Sequence, residues 1–149
     1  MKLGYTGTRS GMTAAQKASI RRFVEKHAVD IDEVHHGDCI GGDDEFDSII
    51  RELAKPGCNI IAHPSNVEPT RAYVDCKEVG DSRRRVKTTM LPERPPILRD
   101  CDIVDAVDTM IAAPRTYEEQ AHSGTWFTYK YANKHKRKTY MIFPDGRTV

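Results

Sequence analysis

Short apolar runs alternate with longer amphipathic stretches along this chain, and turns rich in glycine and polar residues join them. Leu3-Gly4-Tyr5 reads as a first strand, followed by the turn Thr6-Gly7-Thr8-Arg9-Ser10-Gly11. Thr13 is placed to cap a helix in which Ala15, Ala18, Ile20, Phe23, Val24 and Ala28 recur at near-helical spacing, with Lys17, Arg21, Arg22 and Lys26 toward water. Glu33-Val34-His35-His36 is a second strand, leading through a Gly-and-Asp turn into a helix that runs to about Lys55 and stops at Pro56-Gly57. Asn59-Ile60-Ile61-Ala62-His63 is the third strand, ended by Pro64.

Residues 65–95 show weak periodicity, carry the cluster Arg83-Arg84-Arg85, and end among Pro92, Pro95 and Pro96, so they read as an irregular loop or lid. Ile97, Cys101, Ile103, Val104 and Val107 then share a helical face. Thr109-Met110-Ile111-Ala112-Ala113 is a fourth, central strand ending at Pro114. A polar loop over residues 115–123 meets Gly124-Thr125 at the start of a helix through Ala132, and Thr139-Tyr140-Met141-Ile142-Phe143 supplies a fifth strand before the turn Pro144-Asp145-Gly146. Strands that alternate with helices need parallel, right-handed crossovers. The expected fold is therefore α/β: a Rossmann-like three-layer domain over residues 1–149 with a mostly parallel five-stranded sheet in the order 3-2-1-4-5.

Composition narrows the functional classes. Lys plus Arg number 23 against 22 Asp plus Glu, a net charge of +1, which offers no strong field to nucleic acid or acidic membrane. A bound anion must be held locally. No charged, apolar leader opens the sequence and no segment approaches the roughly 18 uninterrupted apolar residues of a membrane span, so a cytoplasmic protein is expected. Cys39, Cys58, Cys76 and Cys101 lie at irregular spacings without CxxC pairs, which reads as reduced thiols. His35, His36 and Cys39 lack a fourth ligand at a familiar zinc spacing, so no metal and no cofactor is expected; His35 packs and His36 shapes its loop.

Ligands of open α/β sheets collect beyond the carboxyl ends of the strands, where strand order reverses. Three loops qualify. Thr6, Gly7, Thr8 and Arg9 offer backbone donors, hydroxyls and a guanidinium fork to a phosphate, the plain alternative being a tight turn with a solvated arginine. Gly37, Asp38, Cys39, Gly41 and Asp43 combine acceptors for ribose hydroxyls with glycines that permit close approach. Pro114 ends the central strand, and Ser123, Gly124 and Thr125 open a helix whose amides favour an anion, or simply cap it. Trp126, Phe127, Tyr129 and Tyr131 read as core, and Arg83 to Arg85 as a solvated charge run or a phosphate clamp.

Taken together, Gly4-Tyr5-Thr6-Gly7-Thr8-Arg9, His35-His36-Gly37-Asp38-Cys39-Ile40-Gly41 and Ser123-Gly124-Thr125-Trp126 resemble the SLOG superfamily of Rossmannoid nucleotide-binding proteins, in particular its small stand-alone bacterial and phage members. His63-Pro64, Asp102-Ile103-Val104-Asp105 and Pro144-Asp145-Gly146 extend the resemblance. It implies one pocket that serves either LOG-type hydrolysis of the N-glycosidic bond of nucleoside monophosphates or sensing of ADP-ribose-type signals; the superfamily also has a DNA-processing branch. The LOG pattern PGGxGTxxE is matched in its phosphate half, but Thr128 stands where its glutamate should be, leaving Glu119, or its neighbour Glu118, as the replacement carboxylate. The expectation drawn from this is a domain that binds a phosphorylated, nucleotide-derived small molecule to sense or sequester it. The alternative is a nucleotide N-glycosidase with Glu119 as catalytic residue. No nucleic-acid partner and no membrane are expected, while a homo-oligomer remains open.

Overall fold

In its computed structural model, which describes residues 1–76 and 86–149, the chain alternates strand and helix as its apolar periodicity dictates. The order is β1 (Lys2–Gly7), α1 (Ala14–His27), β2 (Glu33–His36), α2 (Gly42–Leu53), β3 (Asn59–Ala62), β4 (Lys87–Met90), α3 (Pro96–Ala106), β5 (Thr109–Ala113), α4 (Gly124–Lys134) and β6 (Lys138–Met141). Thr13 caps α1 reciprocally with Gln16: its hydroxyl accepts the Gln16 amide at 3.0 Å, and the Gln16 side-chain oxygen accepts the Thr13 amide at 3.0 Å.

Six strands pair in parallel in the order β4-β3-β2-β1-β5-β6. The five expected strands stand in the expected order, as β3-β2-β1-β5-β6, with a sixth strand added at one edge, and the fold is Rossmann-like α/β. The sixth strand, Lys87-Thr88-Thr89-Met90, lies in the stretch read as loop or lid. It escaped the apolar pattern because an edge strand with one neighbour has little to bury. A long-range polar contact fixes it instead. Asp47 of α2, fully buried, accepts His36 Nε2–H at 3.0 Å and Arg51 Nε–H at 2.6 Å, and Arg51 Nη2 donates to Thr88 Oγ1 at 2.5 Å.

Side chains alternate across the sheet into two apolar layers. Leu3, Tyr5, Ile111 and Ala113 pack with Ile20 and Val24 of α1 and Phe46, Ile49 and Ile50 of α2. Met110 packs on the opposite face with Ile103 and Val104 of α3, Val107 and Ala132 of α4. Gly4 lies under Met110 and Val107, whose side chains occupy the space that a Cβ would need. Chain order reverses between β1 and β5, which pair over five residues from Leu3 with Thr109 to Gly7 with Ala113. Loops leaving these two strands diverge and open a crevice at their carboxyl ends. Among the described residues no helix is long and apolar enough to cross a membrane.

On the same carboxyl side lies a buried histidine pair, His35 Nδ1 and His63 Nε2 at 2.7 Å, with His35 Nε2 on Glu33 Oε1 at 2.6 Å. Burial, reinforced by the charges His35, His36 and Arg99 would place beside it, pushes the His63 pKa down to about 3. The unfolded chain thus binds a proton near pH 6.5 that the native state refuses, and native stability falls as pH drops through that value. Between pH 7 and pH 5 the wild type should lose about 2 kcal/mol from this site. Denaturant unfolding at the two pH values should show a smaller loss in His63→Asn, whose amide has no proton to refuse; an equal loss in both proteins would remove His63 as the cause.

Candidate functional site

The loops after β1 and β2 are shaped first by each other. Thr8 offers its carbonyl to the amides of Gly42 at 2.8 Å and Gly11 at 3.2 Å, so the amino end of α2 is closed by protein backbone. Gly41 has φ +84°, and a Cβ there would overlap the Arg9 carbonyl. Gly41 therefore serves backbone-on-backbone packing.

Asp38 is likewise turned inward. Fully buried, it accepts the Val74 amide at 3.0 Å through Oδ1 and Arg71 Nε–H at 3.2 Å through Oδ2, and its own amide donates to His36 Nδ1 at 3.1 Å. It holds the segment after β3 and does not reach the crevice, contrary to its expected place beside a ribose. Pro114 also turns away, its carbonyl accepting Gln16 Nε2–H at 2.8 Å. The other expected residues do meet: Thr6, Gly7, Thr8, Arg9, Gly37, Cys39, Asp43, Ser123, Gly124 and Thr125 line one cavity of about 420 Å³ at the reversal point. Cys39 brings no nucleophile to it, since burial pushes its thiol up to about 11.

The lining residues missed in the sequence include Tyr5, Arg115 and, in α3, Arg99 and Asp100. Arg99 is 7% exposed. Its Nη1 donates to the carbonyls of Gly37 at 2.6 Å and His63 at 3.2 Å, and its Nε to Asp100 Oδ1 at 2.7 Å. A Cβ at Gly37 would come within 2.5 Å of Nη1, which accounts for the glycine. Burial raises the Asp100 carboxyl to about 6 despite the Arg99 guanidinium, and burial likewise raises that of Asp43. One signal was available: Arg99 lies one helical turn before Ile103, which is 2% exposed, whereas Ile97, assigned to the buried face, is 60% exposed.

A second, larger groove of about 870 Å³ continues from this cavity, sharing Arg9, Asp100, Ser123 and Gly124 with it and running between α3 and α4 past Ile97, Trp126, Phe127, Lys130, Tyr131 and Lys134. Trp126, Phe127 and Tyr131 thus line a groove, correcting their reading as core, although Tyr131 also packs against the apolar cluster of α3 and α4. Small residues, Thr125, Thr128 and Ala132, form the buried stripe of α4 against the sheet, which forces the large rings onto the flanks. Phe127 is 37% exposed and stacks on Tyr131 with ring centroids 6.1 Å apart. Ser123 caps the helix by accepting the Trp126 amide at 3.3 Å. Thr128 gives its hydroxyl proton to the Gly124 carbonyl at 2.7 Å, and Glu119, on the groove rim, pairs with Lys130 Nζ at 2.7 Å. Arg83 to Arg85 lie outside the described residues.

No family model matches the chain, and no curated protein matches it. Its fold is similar to a solved structure of DNA processing protein A from Helicobacter pylori, described for that protein's unique single-stranded DNA binding mode. The TM-score is 0.57 at 15% identity, covering 95% of this chain and 64% of that one. The chain thus spans under two thirds of its neighbour's length. The single-stranded DNA binding described for that neighbour runs against two expectations, that the partner is a phosphorylated nucleotide-type small molecule and that nucleic acid is not a partner. The expectation had rested on a net charge of +1, which is a sum over the whole chain and conceals the local grouping of Arg9, Lys130 and Lys134 along one groove.

Removing the Arg99 guanidinium would leave two buried carbonyls and the Asp100 carboxylate without their donor. Arg99→Ala should destabilise the domain by about 3–5 kcal/mol in chemical unfolding, the range for breaking a buried charged network from one side. A loss below about 1 kcal/mol, the usual range of a surface pair, would mean that the guanidinium does not hold the pocket wall.

Proposed function

We propose that this domain binds single-stranded nucleic acid along the groove between α3 and α4, entering at the reversal point of the sheet. The observation that carries the reading is the groove itself, in which exposed or half-buried rings alternate with cations: Trp126, Phe127, Lys130, Tyr131 and Lys134 within little more than two turns of one helix. Single strands are held in this way, bases stacking on aromatic faces while cations track the phosphates. A duplex hides its base faces and cannot use such rings. Arg9, Arg115 and the open end of α4 at Ser123 and Gly124 supply the phosphate contacts at the mouth of the inner cavity. The similar fold of a single-stranded-DNA-binding protein supports the reading, as does the resemblance to a superfamily with a DNA-processing branch, and we propose membership of the SLOG superfamily with it. We place the protein in the cytoplasm, a compartment that suits its free cysteines.

Lys130 must leave Glu119 to reach a phosphate. That pair is 64% and 53% exposed, so the exchange costs little. Binding of a fluorescent oligothymidylate, followed by anisotropy from low to moderate salt, tests the proposal. Affinity should fall with salt, and Arg9→Ala should both weaken binding by about 1.5–3 kcal/mol and reduce the magnitude of the logarithmic salt slope by about 0.7, the value for one phosphate contact on a single strand. Phe127→Ala should cost about 1–3 kcal/mol for one lost stacked base. Equal affinity for a duplex, or binding indifferent to both substitutions, would refute this reading.

A further inference from the structure

The inner cavity and its mouth carry opposite chemistry. At the mouth stand Arg9, Arg115 and the amino end of α4. The interior holds the carboxylates of Asp43 and Asp100, and the guanidinium of Arg99 beside them is already engaged by the Gly37 and His63 carbonyls and by Asp100. A phosphate pushed inside would meet two carboxylates with no free cation among the described residues there to offset them. Its place is at the mouth.

What the interior lacks is a neutral partner that brings N–H donors to the carboxylates and an acceptor for a hydroxyl. The hydroxyl belongs to Tyr5. Tyr5 is among the residues that line the cavity, its ring stacks on Phe46 with centroids 4.4 Å apart, and its buried oxygen finds no hydrogen-bond partner among the described residues. A fully buried hydroxyl left unpaired is costly and calls for an explanation. A ligand atom inside the cavity would supply one. Asp43 has one oxygen partly committed, Oδ2 accepting the Cys39 amide at 3.1 Å, while Asp100 Oδ2 faces the start of α4, 3.7 Å from where a Gly124 Cβ would sit.

We propose that the inner cavity takes one unstacked base of the bound strand and selects guanine, the Asp100 carboxylate accepting from its N1–H and N2–H₂ edge while the Tyr5 hydroxyl donates to a base acceptor. Guanine is the base whose pairing edge offers two adjacent donors to one carboxylate. Thymine would set its two carbonyls against Asp100, and adenine and cytosine each bring one amino group beside a ring nitrogen that repels a carboxylate. The strand's phosphates stay at the mouth with Arg9 and Arg115. This selection rests on the single-strand reading above, and the test separates the two.

Anisotropy titrations with oligothymidylate and with alternating thymidine–guanosine, thymidine–adenosine and thymidine–cytidine strands measure the selection. The wild type should bind the guanosine-containing strand at least about fivefold more tightly than the others, the lower end of what one well-read base contributes. Asp100→Asn, whose amide pairs one donor with one acceptor, should erase that preference or turn it toward adenine or cytosine while oligothymidylate still binds. Tyr5→Phe keeps the ring stack and removes the orphan hydroxyl, so it should melt no lower than wild type and still lose part of the guanine preference, which keeps the test decisive if Asp100→Asn fails to fold. Strands that bind without guanine preference, or a preference surviving both substitutions, would overturn the selection and leave single-strand binding standing. Failure of every strand to bind would overturn both.

Discussion

The guanidinium of Arg99 is the contact on which the crevice depends. It sits at the first full turn of α3 yet satisfies the carbonyls of Gly37 after β2 and His63 after β3, so one side chain fixes a helix over the carboxyl ends of two strands on the far side of the reversal point. Its partner Asp100 is thereby held at the amino end of α4, and Gly37 has to be glycine to let the guanidinium pass. A buried charge is tolerable when it is paired and well hydrogen-bonded. Here the partners come from three separate segments, which is why the wall is a property of the tertiary structure.

Charge along this surface is sorted by depth. Acidic groups with raised carboxyl pKa values lie inside, cations and a helix amino end at the mouth, and lysines with aromatic rings along the outer groove. Summed over the chain these cancel to nearly nothing. A polyanion does not sense the sum, because beyond about 8–10 Å of salt solution it feels only the charges it touches.

The buried polar system on the opposite edge has a different task. His36, Asp47, Arg51 and Thr88 form a chain of contacts from β2 through α2 to β4, and it anchors a strand too polar to be held by apolar burial. His35 and His63, kept neutral by their surroundings, pack beside it.

Much of the architecture was legible along the chain. The strands at Glu33–His36 and Thr109–Ala113, the cap at Thr13 and the polar loops that meet at the reversal point all rest on local signals: apolar runs, turn residues and a capping pair a few positions apart. Residues whose roles are set by distant partners were not legible. Asp38 looked like a ligand group and is taken up by Arg71 and Val74; Trp126, Phe127 and Tyr131 looked like core and line the groove beside a buried stripe of small residues; Lys87–Met90 looked like loop and is a strand tied to α2 by Arg51; Arg99 was marked only by its spacing from Ile103, and Asp100 not at all. Periodicity records which residues neighbour each other along an element. The pairing of a buried polar group is settled by whichever segment packs across from it, and that partner is named only once the chain has folded.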